Sequence, residues 1–355
     1  MDEALKALRA RIDSIDDTLL QLVSERAGLA QAVGRAKNGE KIYRPEREAQ
    51  IVRRLRETNP GPLDGDTVER LIREVMSACR ALEQNIRVAY LGPAGTFSQA
   101  AAYKHFGHAV EAVAEADIDA CFRAVETGRA DFAVVPVENS TEGAIARTLD
   151  LIVASPLKIC GEIMLPIHQN LMRKNAGLEG IDRVYGHAQS LAQCQNWLNR
   201  HLPRAERVSV VSNSEGARRA AAEPDAATLG SDAAAELYGL AIVEARIEDE
   251  AGNTTRFLVL APADAAPSGR DKTSLVVGVH NQPGAIVKLL QPLADAGVSM
   301  SKLESRPARS ANWEYLFFVV CEGHRLDARL AATLTEIESR AAFLKILGSY
   351  PAAHS

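Results

Sequence analysis

The sequence predicts a multidomain chain of mixed class: an all-α domain over residues 1–85, a two-lobed α/β domain over 86–262, and a small α+β module of ferredoxin-like order over 273–350. Three observations predict this. Apolar residues recur at helical spacing through residues 4–37. At Ile86 the pattern changes to short β-runs alternating with helical stretches, and past a Pro/Ala-rich segment the order becomes strand, helix, strand, strand, helix, strand. A chain of 355 residues also exceeds what one hydrophobic core usually organises.

Leu5, Leu8, Ile12, Ile15, Leu19, Leu22, Leu29 and Val33 carry the first helix over 4–37, a stretch without proline and with glycine only at Gly28 and Gly34. Asn38-Gly39 stops it. A second helix is expected over about 45–58, and Asn59-Pro60-Gly61-Pro62 breaks the chain before a third over 66–84. Ile86-Arg87-Val88-Ala89-Tyr90-Leu91 reads as a strand leading into a Gly/Pro turn, with further strands expected at 132–137, 183–185, 208–211, 228–230 and 256–260. Two lobes with a cleft between them suit that length. Residues 261–269 read as a linker by composition, the last module brings strands at 274–279 and 315–321, and the tail after Tyr350 is expected to be loose.

A composition of 46% hydrophobic and 25% charged residues is ordinary for a globular protein, and a net charge of −5 offers no cationic field for nucleic acid. The start Met1-Asp2-Glu3-Ala4-Leu5-Lys6 lacks the basic and apolar regions of a signal peptide, and no apolar run approaches the ~18 residues of a membrane span. A cytoplasmic protein with no membrane partner is expected. Five cysteines, odd in number, scattered and never in a C-x-x-C pair, read as reduced buried thiols; the eight histidines show no metal-ligand spacing. Neither a metal nor a cofactor is expected.

On the first helix Arg26 and Lys37 lie three turns apart, roughly 16 Å, on one face, where they could grip one small anion. Arg9 lies about 25 Å from Arg26 along the axis and on another face, so an antiparallel partner helix would have to bring a second chain's Arg9 alongside. Taken singly these are solvated charges. Taken together, Ala7-Leu8-Arg9, Asp13 and Asp16, Leu22-Val23, Glu25-Arg26, Val33-Gly34, Ala36-Lys37, Tyr43-Arg44-Pro45-Glu46-Arg47-Glu48 and Ala81-Leu82-Glu83-Gln84 resemble the all-helical chorismate mutase family. The resemblance implies that Arg9 of one subunit and Arg26 and Arg47 of the other hold the carboxylates of chorismate. It further implies that Lys37 and Glu83 donate to the breaking ether oxygen, that Glu48 takes the hydroxyl, and that Arg44 contributes its backbone N–H. A Claisen rearrangement needs no nucleophile, only a compact conformer and stabilisation of charge growing on the ether oxygen. Arg44 stands where some relatives have Asp, Cys79 where some have Ser, and Glu83 where some have Gln; Glu83 must be protonated to donate.

Gly92-Pro93-Ala94-Gly95-Thr96-Phe97-Ser98, between strand and helix, would offer backbone N–H groups and the Thr96 and Ser98 hydroxyls to an anion. Polar segments 135–143, 186–194 and 252–257 each stand where a strand ends, the place where open α/β sheets bind ligands. Together these segments resemble prephenate dehydratase, a two-lobed fold akin to periplasmic binding proteins. The resemblance implies that Thr255 of the T-R-F motif acts at the departing hydroxyl, with Glu138, Asn139 and Gln193 as polar partners in the cleft. A threonine is a poor free acid, so Thr255 reads as a donor or relay; Arg256 reads either as a carboxylate partner of the substrate or as a structural ion pair. His187 reads as a capping or packing residue. Gly186 and Ser212 stand where some members have Ser and Glu.

Asn281-Gln282-Pro283-Gly284-Ala285-Ile286 and Leu303-Glu304-Ser305-Arg306-Pro307 resemble the ligand motifs of the ACT domain. This implies that Asn281, Pro283, Gly284, Ala285, Glu304 and Ser305 bind L-phenylalanine at a subunit interface. The whole chain thus resembles the bifunctional chorismate mutase/prephenate dehydratases, which implies chorismate and prephenate as substrates, phenylpyruvate as product, L-phenylalanine as allosteric inhibitor and a homodimer or higher homo-oligomer. A transcriptional regulator would need a short helix-turn-helix that is absent, and a non-catalytic sensor would not need Thr255 or the Arg26/Lys37 pair. Arogenate as the second substrate stays open.

Overall fold

The computed structural model describes residues 2–36, 43–279, 282–307 and 315–353. The N-terminal part is helical: α1 (Asp2–Ala36), α2 (Pro45–Glu57) and α3 (Gly65–Ala81). Proline at the first position pre-sets the start of α2, and the Asp64 carboxylate accepts from the Thr67 N–H to cap α3. The third helix is shorter than its apolar pattern predicts. Glu83 lies in the turn that follows, its N–H donating to the Arg80 carbonyl at 2.9 Å. α1 and α2 pack on α3, yet the apolar stripe of α1, from Leu5 through Ile12 and Leu19 to Val33, stays exposed.

The central part holds β1 (Arg87–Leu91), α4 (Phe97–Phe106), β2 (Glu111–Glu115), α5 (Ile118–Glu126), β3 (Phe132–Asn139), β4 (Gly143–Ala144), α6 (Ala146–Ala154) and β5 (Lys158–Pro166). It continues through β6 (Asn170–Arg173), β7 (Arg183–Gly186), α7 (Ala188–Gln193), α8 (Gln195–His201), β8 (Glu206–Ser209), α9 (Asn213–Ala220), β9 (Ala226–Gly230), α10 (Asp232–Tyr238), β10 (Ala241–Glu244) and β11 (Thr254–Ala261). One sheet has the order β2-β1-β3-β11-β5, with β4 paired to β3; the other has β10-β6-β9-β7-β8. The chain leaves the first lobe after β5 and returns along β11, which runs antiparallel to β3 and β5. The strand expected at 208–211 is β8, two residues earlier, and Val211 is exposed; a short apolar run does not fix its own boundary.

The C-terminal module consists of β12 (Asp271–Val279), α11 (Ala285–Asp295), β13 (Met300–Pro307), β14 (Tyr315–Glu322), α12 (Ala328–Arg340) and β15 (Phe343–Pro351). Its order, β13-β14-β12-β15, places the first and third strands centrally, as the ferredoxin-like expectation requires. The module is not loosely tethered. Val276, Phe318, Leu347 and Tyr350 share one apolar core with Val135, Val137, Ile152, Leu258 and Leu260 of the first lobe. At Gly348 the backbones of β15 and β5 approach so closely that an added Cβ would overlap the Ile159 carbonyl.

Two expectations are corrected by this packing. The stretch 261–269 is an ordered strap rather than a free linker: Ala265 and Ser268 are buried, the Ala265 N–H donates to the Ser349 carbonyl, and Asp264 pairs with Arg325 at 2.7 Å. Nor is the chain loose directly after Tyr350, because the Ala352 N–H donates to the Arg270 carbonyl and the Ala353 N–H to Glu162. Composition reports solvent compatibility and not which backbone groups find partners. The five cysteines are all free and buried, as expected. Among the described residues no helix is long and apolar enough to cross a membrane, and no group of three His, Cys, Asp or Glu could hold a metal ion.

Candidate active and regulatory sites

In the helical domain a pocket of ≈ 290 Å³ opens between the three helices, lined among others by Arg26 of α1, Arg44, Arg47 and Glu48 at the start of α2, and Cys79, Arg80 and Glu83 at the end of α3. Residues i and i+3 or i+4 share a helix face, so the Arg44-Pro45-Glu46-Arg47-Glu48 turn presents Arg44, Arg47 and Glu48 to the same side. Glu83 packs over Gly34, where an added Cβ would lie 2.7 Å from its Oε2 and would make the glutamate side chain shift. Burial pushes the Glu48 carboxyl up, while Arg80, Arg73 and Arg26 oppose the rise. Arg9 does not line this pocket and is exposed on α1. Lys37 lies outside the described residues. The arrangement is a cationic half-shell with the carboxyls of Glu48 and Glu83 and, among the described residues, no nucleophile–base pairing.

In the central domain the Thr255 hydroxyl accepts from Asn139 Nδ2 at 2.9 Å, and the same amide donates to Asn253 Oδ1 at 2.8 Å. Asn139 Oδ1 in turn accepts from the Thr141 and Glu142 N–H groups, which fixes the amide that faces Thr255. The pairing Thr255 with Asn139 across β11 and β3 puts both on one face of the sheet. Glu138 and Arg256 form the next pair and take the other face. The expected place of Glu138 in the cleft is thereby corrected. Glu138 Oε2 lies 2.6 Å from Lys302 Nζ of β13, and Arg256 pairs with Glu162 at 2.9 Å and donates to the Tyr350 hydroxyl at 3.0 Å. Of the two readings of Arg256, the structural ion pair is the one observed. The side chain of Glu162 is fully buried; burial alone would raise its carboxyl, but Arg256 and Lys272 beside it outweigh that and hold it below its ordinary range.

The second lobe contributes its own polar cluster. Gln169 Nε2 donates to Gln193 Oε1 at 3.3 Å, Asn213 Nδ2 to Ser190 Oγ at 2.7 Å, and the His187 N–H to Asn213 Oδ1 at 2.7 Å. Gln193 Nε2 is buried without a hydrogen-bond partner among the described residues. Gln169, Asn213 and Asn253 are functional candidates that motif reading did not single out. Only Asn253 carried a signal, as the residue just before the strand that bears the T-R-F motif. The 92–98 loop departs from its expected anion cradle: the Gly95 N–H donates to Gln99, the Thr96 hydroxyl to the Leu91 carbonyl, and Ser98 is buried. Its Ala94 and Gly95 carbonyls accept from Ser214 and Ser231 of the second lobe, so the loop joins the lobes. His187 precedes α7 without a side-chain capping bond. Ser212 caps α9 through the Glu215 N–H at 3.1 Å, and a Cβ at Gly186 would meet Leu191 at 3.1 Å, which gives each departure a packing reason.

In the C-terminal module Gly284 has φ +78°, a left-handed conformation that favours glycine, with no atom near its missing Cβ. Backbone geometry inside the chain is what requires glycine at this position. The Ala285 N–H donates to the Gln282 carbonyl at 3.0 Å. Glu304 lies 3.6 Å from Lys302, and Glu304 and Ser305 stand on β13, an edge strand. Pro283 precedes Gly284 in the turn; Asn281 lies outside the described residues. An apolar pocket of ≈ 300 Å³ opens beside α11, lined by Val287, Leu290, Val298 and Met300 among others, and it includes none of the expected ligand residues.

Comparison with known proteins finds three family matches in tandem: chorismate mutase type II over residues 8–84, prephenate dehydratase over 88–265, and the ACT domain over 273–339. A bifunctional chorismate mutase/prephenate dehydratase of Neisseria gonorrhoeae is 52% identical over 356 residues, covering 99% of this chain and 98% of that protein. Among solved structures, a prephenate dehydratase of Arthrobacter aurescens in complex with L-Phe matches with TM-score 0.69 and 33% identity, over 76% of this chain and 90% of that one. A quorum-quenching acylase, GqqA, matches with TM-score 0.69 and 28% identity, over 75% of this chain and 98% of its own.

Proposed function

This chain belongs to the bifunctional chorismate mutase/prephenate dehydratase family, and from that premise we propose which of its residues carry each step and how the second is regulated. The chain converts chorismate to prephenate and prephenate to phenylpyruvate. In the first step Arg26 and Arg47 hold carboxylates of a compact chorismate conformer, Arg44 lends its backbone N–H, Glu48 takes the hydroxyl, and Lys37 and Glu83 donate to the ether oxygen as charge grows there. Arg9 comes from a second copy. The exposed apolar stripe of α1 supports a homodimer, because a monomer rarely leaves such a ladder in water.

In the second step prephenate loses hydroxide and CO2 together, and aromaticity supplies the driving force. Thr255 delivers a hydrogen bond to the departing hydroxyl, with Asn139 and Asn253 fixing its rotamer and Gln193 approaching from the second lobe. The single observation that carries this reading is the Asn139–Thr255 bond at 2.9 Å between two motif residues 116 positions apart. L-phenylalanine, the ligand of the Arthrobacter relative, binds the C-terminal module near Pro283, Gly284, Glu304 and Ser305, with Asn281 and Ala285 at the turn, and inhibits the dehydratase. Incubating purified protein with chorismate and following prephenate and phenylpyruvate tests the assignment: both should form in sequence. Formation of prephenate alone would remove the second half.

A further inference from the structure

Arg80 belongs to none of the roles assigned above, yet it sits at the junction of two domains with both terminal amino groups engaged. Its Nη1 pairs with the Glu48 carboxylate in the mutase pocket, and its Nη2 donates at 2.6 Å to the carbonyl of Phe106, the last residue of α4 in the central domain. Its guanidinium lies 5.0 Å above the ring of Tyr43, a cation–π distance. Tyr43 is itself part of the central domain's core with Phe106, Val134 and Phe257, and its hydroxyl lies 2.7 Å from His105 Nε2. The side chains of Arg80 and Glu48 are only 7% and 15% exposed, so neither charge has much water to replace its partner.

Glu48 is faced by Arg80 and Arg73 of α3 and by Arg26 of α1, with Tyr43 preceding its own helix; Arg44, Arg47 and Glu83 line the same pocket. Of these cations Arg80 opposes the effect of burial on Glu48 most strongly, and it is the one that hydrogen-bonds the carboxylate. A lysine could supply its charge but not a planar fork with one amino group on each domain.

We propose that Arg80 is a positioning residue of the mutase site, which sets the direction and ionisation of Glu48 and makes both depend on the docked central domain. This rests on the reading that Glu48 contacts chorismate. The test uses the full chain with Arg80→Gln, Arg80→Lys and Glu48→Gln, alone and with each Arg80 change combined with Glu48→Gln. Mutase kcat and KM are measured from about pH 5 to pH 9, and dehydratase turnover on added prephenate reports the integrity of the fold.

Arg80→Gln should lower mutase kcat about tenfold or more and move the acid limb of its profile to higher pH, since Glu48 then loses its nearest cation; dehydratase turnover should change less than about threefold. Arg80→Lys should restore the acid limb without restoring kcat, and this variant carries the test if the glutamine variant folds poorly. In the Glu48→Gln background the Arg80 changes should have no further effect on the mutase. An unmoved acid limb, or full additivity with Glu48→Gln, would overturn the role of Arg80 while leaving Glu48 in place. An unimpaired Glu48→Gln enzyme would instead overturn the reading of Glu48 and the proposal with it.

Discussion

A hydroxyl is a weak catalyst until something fixes where its proton points, and at Thr255 that something is one amide, Asn139 Nδ2, shared with Asn253. Thr255→Ala should therefore cut dehydratase turnover about a hundredfold or more, while chorismate is still converted and prephenate accumulates at a near-normal rate. A coupled assay of both products checks this; equal loss of both activities would point to a damaged fold. The two residues were expected from the family resemblance of their motifs; Asn139 closes β3 and Thr255 stands near the start of β11. Which face each side chain takes was not legible in the sequence. Glu138 and Arg256 sit one position away and point to the C-terminal module, since successive strand residues alternate and the register shifts between Arg256 and Phe257. Burial decided Glu162 in the same way: nothing in its neighbourhood of sequence marks it as the partner of Arg256 and Lys272. Its carboxyl is held low in the fold, so its contribution to stability is present above the ordinary value of 4.5 and is lost as pH falls through the lower folded value. Glu162→Gln, which leaves two cations without their anion, should cost about 3 kcal/mol at neutral pH. Its melting temperature should then fall less steeply than the wild type's on acidification below about pH 4.5, as calorimetry can record.

At the level of elements, apolar patterning located the three N-terminal helices and strands β1, β3, β7, β8, β9, β11, β12 and β14, gave no position for β2, β4, β5, β6 or β10, and failed where ends are set by partners. The third helix ends at Ala81, and Glu83 lies over Gly34 from the turn that follows. β13 is the element whose position carries most meaning. It bears Glu304 and Ser305, the expected ligand residues, and also Lys302 and Arg306, which reach Glu138 at 2.6 Å and the Ala146 carbonyl at 2.8 Å in the first lobe. A shift of this edge strand on binding would thus pull directly on the strand end that carries Asn139. Lys302→Met should raise the phenylalanine concentration needed for half inhibition about tenfold, with uninhibited turnover kept within about threefold. Inhibition curves on the variant and the wild type settle it, and an unchanged midpoint would show that the signal takes another course.

Across the whole molecule, three motif sets read separately turn out to share structure: Tyr43 of the helical part sits in the core of the first lobe, and Tyr350 of the last module sits in the opposite core of the same lobe. Local patterns carry no record of such long-range burial, which is why 261–269 read as a linker and proved to be a packed strap. The apolar stripe of α1 is exposed, and Arg9 lies too far along the helix from Arg26 to serve the same ligand within one chain, so the proposed dimer makes a mixing experiment decisive. When Arg9→Ala and Arg26→Ala proteins, each inactive as a mutase, are allowed to exchange subunits in equal amounts, half of the dimers are mixed and each mixed dimer keeps one intact site of two. About a quarter of wild-type mutase activity should return, and none would return if each chain builds its own site. The first-lobe core that Val276, Phe318, Leu347 and Tyr350 help to fill also bears on strain engineering for aromatic amino-acid production. Cutting the gene after Pro262 to escape feedback would strip the cover from Val135, Val137, Leu258 and Leu260 and leave Glu162 without Lys272, so the product should collect in inclusion bodies. A feedback-resistant producer is better sought among single substitutions on β13 that leave this cover in place.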